Sequence, residues 1–227
     1  MPRNKYPGET RQKIIQAATK TFNENGYEQS TILDIVGNME GLTRGAFYHH
    51  FKSKEEVLNA ITDIIFYETN PFEKVRNEKG LNGLQRLRKA IKMNITSIDD
   101  EYKHLRIASV SLLESPQFFA EQMHFNTMLS RKYIQPLIEE GVADGSIKVE
   151  NPQLIAELTI ILFNFWLMPV IFGGNAKYME SKADLSNEIL TNLGLPLFDD
   201  EFEELGTKYI DTLANELNPN KKTYPDG

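Results

Sequence analysis

The sequence predicts an all-α chain of about nine helices, with an N-terminal three-helix head on a larger helical body. Three observations carry that expectation. Apolar residues recur at helical spacing nearly throughout, as in Ile14, Ala18 and Phe22, or Leu84, Leu87, Ile91 and Ile95. Helix-start signals precede these runs: Thr31-Ile32-Leu33-Asp34 and Ser53-Lys54-Glu55-Glu56 read as capping boxes. Ser115-Pro116 and Asn151-Pro152 pair an N-cap with proline at the first helical position. No strand alternation, internal repeat or low-complexity tract interrupts them.

In order, a first helix runs from Thr10 to Asn25, and Gly26 ends it. The second follows Thr31 and sets Ile32, Ile35, Val36 and Met39 at i, i+3, i+4 and i+7. The third starts at Thr43 and is over by Phe51. Ser53 opens the fourth, with Val57, Leu58, Ile61, Ile64 and Ile65 inward. Beyond Pro71 the body begins, with an amphipathic helix over 80–98 and a short one over 102–114. A long helix runs from Pro116 to about Val142, bent at Pro136. The helix after Pro152 is apolar on every face around Trp166, and a closing helix spans 201–217. The expected division is a head at 1–55, a helical body at 56–218 and a disordered tail at 219–227.

Bulk composition narrows the class. The chain has 227 residues, 41% of them apolar, which is enough for a real core. It has no cysteine, which removes disulfides, thiolate metal sites and cysteine nucleophiles. The N-terminus lacks the apolar stretch of a signal peptide, so a cytoplasmic location is expected. The run from Leu158 to Phe172 holds Asn164 and Pro169 and falls short of the roughly 20 residues a bilayer needs. The net charge is −7, but it is unevenly spread. Through Glu55, eight Lys/Arg face six acids, giving +2, and the remainder carries −9. A basic head on an acidic body suits nucleic acid at one end only.

The stretch from Gly41 to Glu56 is the most specific. Gly45 sits inside a very short helix, where glycine costs roughly 1 kcal/mol relative to alanine. A missing side chain lets a backbone approach another molecule closely. Arg44, Tyr48, His49, His50, Lys52 and Lys54 surround it, and their natural complement is a nucleic-acid backbone and groove. Two short helices joined by a glycine-containing turn form a helix-turn-helix, whose second helix enters the major groove. The plain alternatives are that Arg44, Lys52 and Lys54 are solvated charges and Tyr48 a packed residue. Adjacent histidines on a helix point about 100° apart, which disfavours chelation by both.

Ser30-Thr31-Ile32-Leu33-Asp34-Ile35-Val36 and Gly41-Leu42-Thr43-Arg44-Gly45-Ala46-Phe47-Tyr48-His49-His50-Phe51-Lys52-Ser53-Lys54-Glu55 resemble the DNA-binding head of TetR-family transcriptional regulators. The resemblance covers about the first sixty residues. It implies DNA contacts from Thr31, Thr43, Arg44, Gly45, Ala46, Tyr48, His49, Lys52 and Lys54. Thr31 and Thr43 would meet phosphate, Arg44 guanine, and Ala46 a thymine methyl. Tyr48 and His49 would meet backbone or base edges, and Lys54 a phosphate. Phe47 and Phe51 are expected to hold the helix from inside. The turn Gly37-Asn38-Met39-Glu40-Gly41 reads as one residue longer than the family's usual form, which bears on the recognition helix's placement.

For the body, the resemblance implies a pocket whose filling weakens DNA binding. Candidate lining residues are His104, Phe118, Gln122, Phe125, Asn126, Tyr133, Asn164 and Trp166, an apolar wall with a few polar groups. The plain reading is that the polar ones are satisfied inside a bundle. Leu162, Phe165, Phe202, Leu205, Tyr209 and Leu213 are candidates for a homodimer interface. The expected partners are thus operator DNA, a small organic effector and a second copy of the chain, with no membrane, cofactor or metal. The competing expectation is a DNA-bound protein-interaction factor with no effector. An enzyme is disfavoured, since no phosphate loop, His-Glu-x-x-His or paired acid and base is readable.

Overall fold

The computed structural model describes residues 7–96, 105, 108, 116–172 and 175–217. Among these every regular element is helical, and none is long and apolar enough to cross a membrane. The chain divides into two compact units, one of residues 1–69 with 101–112, the other of 70–100 with 113–227. The unit that holds the helix-turn-helix therefore extends further along the chain than the motif itself.

The first unit contains α1 (Pro7–Asn25), α2 (Ile32–Gly37), α3 (Arg44–His50) and α4 (Lys54–Thr69). Its core draws on all four: Ile14, Ala18 and Phe22 from α1, Ile35 from α2, Phe47 from α3, and Val57, Leu58 and Ile61 from α4. Thr31 caps α2 with a full reciprocal box: its Oγ1 accepts from the Asp34 N–H, and the Asp34 carboxylate accepts from the Thr31 N–H. α2 stops at Gly37, two residues short of the expected stripe. Met39 is nevertheless buried at 4% exposure, so the turn itself supplies a core residue. Asn38 ties that turn to α1 by donating to Thr21 Oγ1 at 2.9 Å. Gly41 completes the turn at φ +72°, a conformation that a side chain would strain.

The second unit contains α5 (Pro71–Arg76), α6 (Gly83–Thr96), α7 (Pro116–Leu129), α8 (Gln135–Asp144), α9 (Pro152–Ile161), α10 (Pro169–Phe172), α11 (Ala176–Asn192) and α12 (Asp200–Leu217). α7 and α8 are continuous through a π turn, Ser130–Ile134. Proline at 136 cannot donate to residue 132 and crowds its carbonyl, and the wider turn just before it relieves that clash. A second π turn, Leu162–Trp166, extends α9. The free N–H groups that start α6 are satisfied from the end of α8: Gly83 donates to Asp144 Oδ2 at 2.7 Å and Leu84 to Ser146 Oγ at 3.2 Å. α5 and α11 are elements that sequence reasoning missed.

Candidate functional site

α3 is seven residues long and too short to persist alone. Three devices hold it. Thr43 caps it by accepting from the Ala46 N–H, and Phe47 and Phe51 are buried at 0% and 4% exposure, as expected. The third is its linkage to α4. Lys54 Nζ donates to the carbonyls of Tyr27 at 2.8 Å and Ser30 at 3.2 Å, and lies 4.1 Å from the centre of the Tyr27 ring. The Tyr27 hydroxyl donates to Glu55. Burial first, then the Glu55 carboxylate, pushes the Tyr27 pKa far above its usual value. Burial alone would raise Glu55, but hydrogen bonds with Ser53, its own N–H and Tyr27, aided by the Lys54 charge, hold it below the usual range.

Lys54 thus pins the start of α4 to the α1–α2 connection, a role the sequence did not show. Lys54→Met is expected to lower the head's stability by about 1–3 kcal/mol, because two charge-assisted hydrogen bonds are lost. Urea unfolding reads this directly; unchanged stability would show that the two carbonyls find other partners at no cost.

With its inner side fixed, α3 presents Thr43, Arg44, Gly45, Tyr48 and His49 as exposed residues, with Ala46 half-buried and Lys52 exposed just beyond. Arg44, Gly45, Tyr48 and His49 fall at i, i+1, i+4 and i+5, on one face. The Arg44 guanidinium lies 5.4 Å from the Tyr48 ring centre, and its Nη2 donates weakly to the Tyr48 hydroxyl at 3.5 Å. A Cβ added at Gly45 would meet only Thr43 Oγ1, at an ordinary 3.6 Å. Nothing inside the protein requires glycine there. Thr31 differs from expectation in one respect. Its single hydroxyl proton goes to Asp34 Oδ2 at 2.7 Å, so a phosphate would have to compete for it. The two hydrogen bonds from Thr31 hold the Asp34 carboxyl below its ordinary range.

His50 turns inward, away from that face. Its Nε2 is buried without a partner among the described residues. Burial first, then the charges of His49 and of Arg11 on α1, push its pKa below the ordinary 6.5. A histidine held neutral by folding contributes fully above its unfolded pKa, and the contribution is lost as pH falls through the lowered folded value. Head stability should therefore fall as pH drops below the ordinary histidine value of 6.5, and His50→Gln should flatten that fall. An equal pH dependence in the variant would assign it to another group.

In the body, the structure joins two of the proposed pocket residues: Asn164 donates to Asn126 Oδ1 at 2.7 Å. Phe118 and Tyr133 are buried at 3% each, Gln122, Phe125 and Trp166 half-buried. His104 lies outside the described residues. A cavity of about 260 Å³ opens elsewhere, walled by Phe163, Leu167, Met168, Phe198 and Phe202, with Glu180, Asp184 and Glu203 among its polar groups. Of the proposed interface residues, Leu162 and Phe202 are 6% and 1% exposed, so they are spent inside their own chain. Tyr209 lines the cavity with Phe202. Phe165 packs on Phe119, Leu205 is half-buried, and the Leu213 side chain lies outside the described residues.

A helix-turn-helix whose short second helix is anchored by aromatics and presents Arg, Gly, Tyr and His outward defines a DNA-binding regulator. Residues 14–61 match the tetR family of bacterial regulatory proteins. Over 149 residues the chain is 27% identical to the transcriptional repressor KstR2 of Mycolicibacterium smegmatis, which covers 63% of this chain and 69% of that one. A TetR-family regulator from Pectobacterium atrosepticum shares the fold at TM-score 0.57 and 20% identity, over 95% of this chain and 96% of that one. RolR, solved in complex with resorcinol, does so at TM-score 0.58 and 15% identity, over 90% and 96%. Residues 14–61 thus carry a tetR-family DNA-binding region, and the chain as a whole resembles transcriptional regulators of that family.

Proposed function

We propose that the chain is a homodimeric repressor that binds a pseudo-palindromic operator through α3 in the major groove, and that a small organic effector bound in the body releases it. The observation that carries the reading is the two-sidedness of α3. Phe47 and Phe51 hold its inner side, while Arg44, Gly45, Tyr48 and His49 share the outer one. On DNA, Arg44 reads guanine through its two-pronged guanidinium, steadied by Tyr48. Gly45 and Ala46 allow close approach, and Thr43, His49, Lys52 and Lys54 meet phosphate. Lys54 does so from a side chain already bound to two carbonyls, so its contribution is more positional than that of Lys52.

The dimer reading is supported by α11, which exposes Tyr178, Leu185 and its capping residue Leu193 at 45–49%. These lie at i, i+7 and i+15, on one side of the helix, and suit contact with a second copy. The effector reading is supported by the cavity, of a size and apolar character that suit a small organic molecule. RolR, with the same fold, is solved with resorcinol bound.

Fluorescence anisotropy on the DNA upstream of the chain's own gene, against scrambled DNA at two salt concentrations, tests the proposal. Preference for the upstream DNA, with affinity falling steeply as salt rises, is expected. Absence of binding to either DNA at low salt would contradict it.

A further inference from the structure

α11 buries an unusual row of side chains. Its inward positions are Met179, Lys182, Ser186 and Leu190, at 1%, 3%, 0% and 0% exposure. Ser186 is satisfied, donating to the Lys182 carbonyl at 2.7 Å. The Lys182 ammonium is not. Among the described residues its buried Nζ has no hydrogen-bond partner or ion pair, and it lies beside three rings: 4.4 Å from the centre of Trp166, 4.6 Å from Phe172 and 5.7 Å from Tyr178. The Trp166 indole N–H is also buried without an acceptor. Burial alone pushes the Lys182 pKa down, and no neighbouring charge acts on it.

Ring faces attract the cation but are poor acceptors for its three N–H groups. Two buried donors on adjoining groups with no acceptor are rare in native proteins and call for a complement. A water could take a hydrogen bond but would leave the charge uncompensated. A phosphate or sulfate brings up to about two negative charges against the single ammonium. A carboxylate matches it in charge, and its two oxygens can accept from the ammonium and the indole N–H. The surrounding walls are aromatic, so the body carrying that carboxylate is flat and apolar.

We infer that Lys182 and Trp166 form the recognition site for the carboxylate of a small aromatic acid, with Phe172 packing on its ring. The inference rests on the effector half of the proposed function and names the effector's chemical class. Its place, on the inward row of α11, differs from the cavity, which α11 lines with Glu180, Ala183, Asp184 and Asn187.

Trp166 is the sole tryptophan of the chain, so its emission reports on this site alone. The full chain, without DNA, is titrated with benzoate and with the neutral analogue benzyl alcohol while that emission is followed. Benzoate is expected to give a saturable change at an affinity at least about tenfold higher than benzyl alcohol, as for a charge-assisted hydrogen bond. Lys182→Met should abolish that preference and leave thermal stability equal or higher, since an unpaired buried charge is removed. Equal affinity for acid and alcohol, no saturable change with benzoate, or benzoate binding to Lys182→Met as to the parent would each overturn the inference. So would a marked loss of stability in Lys182→Met, which would show that the lysine has a partner within the fold. With no DNA in the titration, its failure leaves the operator-binding reading standing, and failure of operator binding leaves this result standing.

Discussion

Arg44→Ala is expected to cost about 1–3 kcal/mol of operator affinity and to relax sequence preference at one position of each half-site. The reasoning starts at the helix start. Thr43 fixes the first turn of α3, so the side chain at 44 leaves from the end that a recognition helix inserts into the groove. Tyr48, one turn on, holds the guanidinium over its ring at 5.4 Å, which reduces the freedom lost on binding. Arg44 is exposed and makes no core contact, so the variant should fold as the parent does. The loss would then be one of recognition. Affinity for operator and for scrambled DNA, measured in parallel, separates the two roles of a cation. A base reader loses mainly the first, while a phosphate contact loses both alike. Unchanged affinity and preference would remove Arg44 from the reading face.

Gly83→Ala is expected to destabilise the body by about 3 kcal/mol, the upper end of the range for overpacking. A Cβ at 83 would stand 2.1 Å from the Gly141 nitrogen, 2.5 Å from its Cα and 2.8 Å from the Glu140 carbonyl carbon. All three are backbone atoms, so no side chain can swing aside and the two helices must separate. Separation also strains the Gly83 to Asp144 hydrogen bond and the Arg86–Glu140 ion pair at 2.9 Å, which join the same two elements. Residue 83 lies in the second compact unit, so DNA binding by the head should survive at temperatures where the body is intact. A loss below about 1 kcal/mol in urea unfolding would mean that α6 and α8 adjust more freely than close packing permits.

The head was largely legible because its local signals agree with its tertiary ones. The capping box at Thr31 starts α2, Ser53 accepts from the Glu56 N–H at the start of α4 while the Glu56 carboxylate takes the Lys52 N–H, and the apolar periods of α1 and α4 face the core. The structure departs from the sequence reading at Met39, whose spacing predicts a further turn of α2. Spacing alone cannot distinguish a helical position from a turn residue that packs in the same direction, and Asn38 bonding back to Thr21 ends the helix first. The bonds of Lys54 to the carbonyls at 27 and 30 were not legible, because those partners come from tertiary approach.

The body was less legible for a related reason. α11 buries Lys182 and Ser186 beside Met179 and Leu190 and turns Tyr178 and Leu185 outward, so polar and apolar residues are mixed on both faces and blur the signal that periodicity reads. The feature that concealed the helix is the one that marks it as a candidate ligand site. Phe202 read as an interface residue from its helical stripe, yet it packs against Phe163 and Phe198 within its own chain. Sequence periodicity identifies which face is apolar, and it cannot say whether the covering surface is the same chain or a second copy.

Selection of bound duplexes from a random DNA library is the most direct test of the central claim that α3 reads DNA as one of a symmetric pair. The account predicts enrichment of an inverted repeat whose half-site centres lie roughly one helical turn, about 34–36 Å, apart or a multiple of it. Retention of duplexes without any shared sequence, or enrichment of a single unrepeated site, would contradict it.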